Sequence, residues 1–151
     1  MQLKNSHYKL NQLFMKKQIA ILVFLTCVFA GSIYAKPSNE QKKSPTTIGM
    51  VIYSNDTETV WNALRLANYS KNQGDTVSIF LLGKGVELDN IVKTDKDMKE
   101  QVDKFLENGG VILGCGTCLQ SRKNNEPEVC KYSSLADLYD LIRKNKIVLT
   151  F

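Results

Sequence analysis

Apolar positions along this chain fall into short blocks that switch between strand-like runs and helical spacing. Thr47 to Tyr53 is short, apolar and β-branched, and Ser54-Asn55-Asp56 follows it with turn and helix-cap residues, which predicts a buried strand opening into a helix. Between Thr57 and Asn72, Val60, Leu64 and Ala67 recur at helical spacing with Ala63 beside them, and Gly74 stops the helix. Asp75 to Leu82 predicts a second strand, closed by Gly83-Lys84-Gly85, with a loop of some irregular structure after it. Met98, Val102, Phe105 and Leu106 then mark a helix that ends at Gly109-Gly110, and Val111 to Leu113 is the third strand. A short helix over Leu119 to Lys123 is broken by Asn124 to Pro127. Ser134 to Lys144 carries Leu135, Leu138, Leu141 and Ile142 on one face, and Lys146 to Phe151 forms the last strand.

This order of elements predicts an α/β three-layer sandwich around a mostly parallel sheet of four to five strands, joined by right-handed crossovers. In such sheets, binding and reactive groups gather at the carboxyl ends of the strands, near the point where strand order reverses. Cys115 is expected there, together with Ser54 to Asp56 after the first strand and Gly83 to Val86 after the second. The three loops should face one another across one rim.

The N-terminus follows a different pattern. Lys16 and Lys17 precede an unbroken apolar run from Ile19 to Ala30, with small residues at Ala30 and Ala35, which is the form of a secretory leader. Residues 1–35 are expected to be a signal peptide cleaved after Ala35, with a retained membrane anchor as the alternative. Met15 opens the usual Met-Lys-Lys form and is a second candidate start. Thr26 before Cys27, and Val28-Phe29-Ala30 after it, fit a lipid-attachment site poorly. The polar run at 36–45 is expected to be a linker, and 46–151 the folded domain of a periplasmic or otherwise exported protein.

Charge and composition change once the leader is set aside. The whole chain of 151 residues holds 20 basic and 15 acidic side chains, a net charge of +5. Residues 1–35 contain Lys4, Lys9, Lys16, Lys17 and no acid, so the remainder carries 16 basic and 15 acidic residues, a net charge of +1. No nucleic-acid partner follows from that balance, and no membrane partner for the mature form. The sole histidine, His7, also lies in the leader. A domain without histidine has no Cys-His or Ser-His mechanism and lacks the commonest zinc ligand.

Candidate chemistry therefore rests on the three remaining cysteines, Cys115, Cys118 and Cys130. An odd number in an exported chain leaves one thiol free or shared. Cys115-Gly116-Thr117-Cys118 follows a strand directly, where a helix start favours thiolate over thiol. As a disulfide it closes a tiny loop and removes little chain entropy, which makes it a poor staple and a better redox pair. Zinc would need a fourth ligand beyond the three sulfurs, and copper(I) fits them by softness. A thioredoxin arrangement lacks both the strand order and a facing proline. Cys130 is either a buried inert thiol or a resolving thiol for the loop pair. Arg122, Lys123 and Lys131 flank these sulfurs and can lower thiol pKa values or simply be solvated surface. Gly83-Lys84-Gly85 lacks the length and Lys-Ser/Thr ending of a P-loop, so no cofactor is assigned. Asp56 and Glu58 are explained as helix-start residues, and Trp61 and Tyr69 as core or a subunit interface.

Four segments carry a resemblance to a known family: Glu58 to Asn68 (Glu-Thr-Val-Trp-Asn-Ala-Leu-Arg-Leu-Ala-Asn), Phe80 to Glu87 (Phe-Leu-Leu-Gly-Lys-Gly-Val-Glu), Gly114 to Arg122, and Ser134 to Phe151. In these the chain resembles the DsrE/DsrF-like proteins, which include sulfur-relay subunits. The resemblance implies a small flavodoxin-like fold assembled into trimers or hexamers. It also implies a cysteine after the central strand that takes a sulfane sulfur as persulfide from a donor protein or polysulfide and passes it to an acceptor. Carried over by position, that residue is Cys118 ahead of Cys115, with Cys130 as possible resolving thiol. The paired cysteines and the leader depart from the relay members, which often show one cysteine here. Two other classes stay open: a non-catalytic oligomeric interaction module with a structural C-x-x-C disulfide, and a soft-metal protein holding copper or zinc.

Overall fold

A computed structural model describes residues 44–151. The expected leader, and most of the expected linker, lie outside the described residues. Among the described residues no helix is long and apolar enough to cross a membrane.

The first strand, β1 (Thr47–Ile52), is buried along almost its whole length. Asp56 then caps helix α1 (Thr57–Asn72), its carboxylate accepting from the Thr59 amide at 2.8 Å and the Thr59 hydroxyl at 2.7 Å. The face expected to be apolar, Val60, Ala63, Leu64 and Ala67, is the face that is buried. Strand β2 (Thr76–Leu81) ends in a 3₁₀ turn (Gly83–Glu87), followed by α2 (Leu88–Thr94) and α3 (Lys96–Glu107). The sequence predicts irregular structure over the turn and α2. Burial of Val86, Leu88 and Val92 orders the segment, too short for its periodicity to stand out.

Strand β3 (Val111–Cys115) extends two residues further than predicted and runs straight into α4 (Gly116–Ser121). Strand β4 (Lys131–Ser133) is not predicted at all, having three residues of which two are exposed. It exists through pairing alone, with Leu113, Gly114 and Cys115 of β3 opposite Lys131, Tyr132 and Ser133. Ser134 closes a capping box with Asp137 at the start of α5 (Leu135–Lys144), and β5 (Ile147–Thr150) completes the chain.

All pairings are parallel, in the order β4-β3-β2-β1-β5. The chain steps outward from β1 to β4, then α5 returns it to the far side of β1. Alternating side chains sort into two cores. Met50, Ile52, Ile79, Leu81 and Ile112 face the main core under α1, α2 and α3, while Val51 and Phe80 face Leu138 and Leu141 of α5. The sequence reading needs one correction. Cys115 does lie at the carboxyl edge of the sheet, but strand order reverses between β1 and β5, two strands away from β3.

Candidate thiol site at the carboxyl rim

The cysteine loop is built by a strand that stops at Cys115 and a helix that starts at Gly116. Cys115 follows Leu113 on the α5 side of the sheet, and Cys118, one turn into α4, packs against the main core. The two sulfurs thus approach from opposite sides of the sheet and meet at its edge, where Cys115 is hydrogen-bonded through its side chain to Cys118. All three described cysteines are free thiols. Burial raises the Cys115 pKa above its ordinary value, and the bond to Cys118 adds to this. The amides of Cys118 and Thr117 face the Cys115 sulfur and oppose that shift, without closing a capping hydrogen bond.

Cys118 has a different environment. Its Sγ accepts the backbone N–H of Gly83 at 3.3 Å, a donor directed at sulfur from the neighbouring loop. The three loops expected to share a rim do so. Gly83 reaches Cys118, while Glu87 accepts from Asn55 Nδ2 at 2.7 Å and from Arg122 Nε at 3.0 Å. Arg122 also donates from Nη1 to the Cys118 carbonyl oxygen at 3.1 Å. Its guanidinium therefore holds the end of α4 to the turn that carries Gly83. The same pairing, with the Asn55 bond, holds the Glu87 carboxyl below the usual range.

Glycines on both sides of Cys115 admit neighbours that a Cβ would displace. Gly114 lies against Cys130 Sγ, and Gly116 lies under the Tyr132 ring, whose hydroxyl donates to the Gly116 carbonyl at 2.9 Å. Cys130 sits just before β4 within the main core, and burial pushes its thiol up to about 11. The structure thus pairs Cys115 with Cys118 at the rim and places Cys130 in the core, against Gly114. Lys131 is exposed, and Lys123 adopts φ 57° where the chain leaves α4. Among the described residues, no three His, Cys, Asp or Glu side chains gather as metal ligands.

Two contributors were not singled out from sequence. Glu87 lies 35 residues from Arg122 in the chain, so no spacing pattern links them. Asp89 on α2 is fully buried, and its carboxylate accepts from the amides of Glu128 at 2.7 Å and Val129 at 3.0 Å, and from Asn124 Nδ2 at 2.9 Å. Lys93 stands 3.6 Å from it. This carboxylate fastens the segment between α4 and Cys130. Asp89→Ala strands three donors, so we expect a loss of about 2–4 kcal/mol in denaturant unfolding. Faster hydrogen exchange at the Glu128 and Val129 amides should accompany it.

Known proteins match this architecture. Among curated sequences, uncharacterized protein MK0008 of Methanopyrus kandleri is 28% identical over 88 residues, covering 56% of this chain and 73% of that protein. Among solved structures, the ychN protein from E. coli superposes with a TM-score of 0.61 at 18% identity, over 72% of this chain and 100% of that one. BT1422 from Bacteroides thetaiotaomicron, a conserved protein of unknown function, gives a TM-score of 0.60 at 18% identity, over 70% of this chain and 95% of that one. At such identities the structural likeness speaks for the fold alone. The sequence profile of the DsrE/DsrF-like family matches residues 47–151, from the start of β1 to the last residue, and the chain belongs to that family.

Proposed function

We propose that this protein carries sulfane sulfur on Cys118, with Cys115 as the thiol that protects or discharges it. The observation that carries this reading is the unequal treatment of the two sulfurs. Cys118 accepts a backbone N–H from Gly83, whereas Cys115 is held as a thiol by burial and by its bond to Cys118. A thiolate at Cys118 attacks the terminal sulfur of a donor persulfide, forming Cys118–S–SH and releasing the donor as its thiolate. An acceptor thiolate then takes the terminal sulfur, and Cys118 leaves as thiolate, so each transfer balances without an external oxidant. If Cys115 ionises, it attacks Cys118 Sγ instead, giving the Cys115–Cys118 disulfide and hydrosulfide. Holding Cys115 protonated keeps the cargo in place.

Cys130 has no step in this scheme, because burial in the core favours its protonated form. Membership of the DsrE/DsrF-like family supports a sulfur-relay type of function, and the leader pattern supports a site of action outside the cytoplasm. The test is intact mass after brief polysulfide treatment. The native protein should gain about 32 mass units, one sulfur, and Cys118→Ser should gain none. A Cys118→Ser protein that still gains this mass contradicts the assignment.

A further inference from the structure

The two faces of the sheet are covered unequally. On the α5 side, Leu138 and Leu141 seat on Val51 and Phe80, but Val111 of β3 and Val148 of β5 remain 39% and 38% exposed on either flank of the helix. The register places both valines in line with Gly49 and Ser78 on that face. Helix α5 turns a second apolar row outward, with Leu135 78%, Tyr139 62% and Ile142 47% exposed at helical spacing. Parallel sheets are normally covered on both faces, and a contiguous apolar patch of this kind marks an interaction surface.

Charge order along α5 selects the occupant. Asp137 and Asp140 precede Arg143 and Lys144, and Arg143 has no carboxylate partner among the described residues. A second copy laid antiparallel about a two-fold axis sets each acidic half against the other's basic end and opposes the two helix dipoles, while a parallel copy sets like on like. A two-fold interface requires this kind of self-complementary surface.

The same face reaches the cysteine rim. Ser133 pairs with Cys115 in the sheet, and Leu135, the first residue of the outward row, follows two positions later. Cys115 lies on the α5 side with Leu113, whereas Cys118 packs on the opposite side. We infer that α5 docks antiparallel on α5 of a second copy of this chain, and that the docked copy covers Cys115 while leaving Cys118 open. The interface stands on the exposed face alone. Its value to sulfur transfer, shielding the discharging thiol while the carrying thiol meets its partners, rests on the function proposed above.

Sedimentation mass and site-resolved alkylation by iodoacetamide test this on the full chain. The native protein should self-associate, and Cys118 should react at least about tenfold faster than Cys115. The double variant Leu135→Asp/Tyr139→Asp changes only exposed positions, so it should keep its melting temperature, become monomeric and let Cys115 react about tenfold faster than in the native protein. Arg143→Glu should weaken association. A monomeric native protein, a double variant that remains assembled, or a Cys115 rate unchanged by dissociation overturns the proposal. Sulfur loading of Cys118 is measured separately, so loss of loading with assembly intact counts against the carrier function and not against the interface.

Discussion

Replacing Gly85 by alanine should cost about 4 kcal/mol and lower Tm by more than about 10 °C. A Cβ at this position falls on the carbonyl group of Ile52, which is backbone at the end of β1 and cannot rotate aside as a side chain would. That carbonyl is fixed, since it accepts the amide of Leu82 at 2.9 Å. The Gly83–Glu87 turn would have to lift off β1, withdrawing Gly83 from Cys118 and Glu87 from both Asn55 and Arg122. Loss of stability should therefore be accompanied by altered thiol reactivity at the rim. Gly83 offers a comparison: its φ of +56° leaves open space around the Cβ position, so alanine there should cost only about 1–2 kcal/mol of backbone strain. Thermal and denaturant unfolding of the two variants measure the difference, and a Gly85→Ala protein that melts within a few degrees of the native one contradicts this account of the turn.

The persulfide on Cys118 should become shorter-lived as pH rises. Discharge as hydrosulfide needs the thiolate of Cys115, and the pKa of that group is raised by burial and then by its bond to Cys118. Below its pKa, the thiolate fraction grows about tenfold for each pH unit, so between pH 7 and 9 the rate of sulfide release should rise about a hundredfold. The sign follows from the direction of the shift: a raised pKa keeps Cys115 protonated near neutrality and moves discharge into the alkaline range. Cys115→Ser removes the attacking thiol, so its Cys118 persulfide should persist with little dependence on pH. Sulfide release from polysulfide-loaded protein, followed by mass, gives both profiles. Equal and pH-independent decay in the native and Cys115→Ser proteins contradicts the role given to Cys115.

Much of this organisation was legible in the amino-acid pattern, and for identifiable reasons. Helix α1 carries its own periodicity, cap and stop, so Asp56, the Val60 to Ala67 stripe and Gly74 define it locally. The meeting of the three loops followed from parallel connectivity, which puts every βα turn at one edge. Strand β4 was invisible because Lys131, Tyr132 and Ser133 have no strand pattern and owe their conformation to β3. Helix α2 was missed because seven residues give too few turns for a period to register. At the site, the Cys115-Gly116-Thr117-Cys118 spacing was readable, but the different surroundings of its two sulfurs were not. They depend on Gly83, Glu87 and Arg122, which the fold brings together across 35 residues. For Cys130, the buried alternative is the one its place beneath Gly114 supports.

The carrier role of Cys118 is tested most directly by locating sulfur on the protein as cells produce it. Protein expressed as the full chain would be isolated without reductant, its mass measured intact, and its peptides mapped after the thiols are blocked. A fraction carrying about 32 additional mass units, with the extra sulfur on Cys118, is the expected result. Complete conversion to a Cys115–Cys118 disulfide that resists gentle reduction, or extra sulfur confined to Cys115 or Cys130, contradicts it.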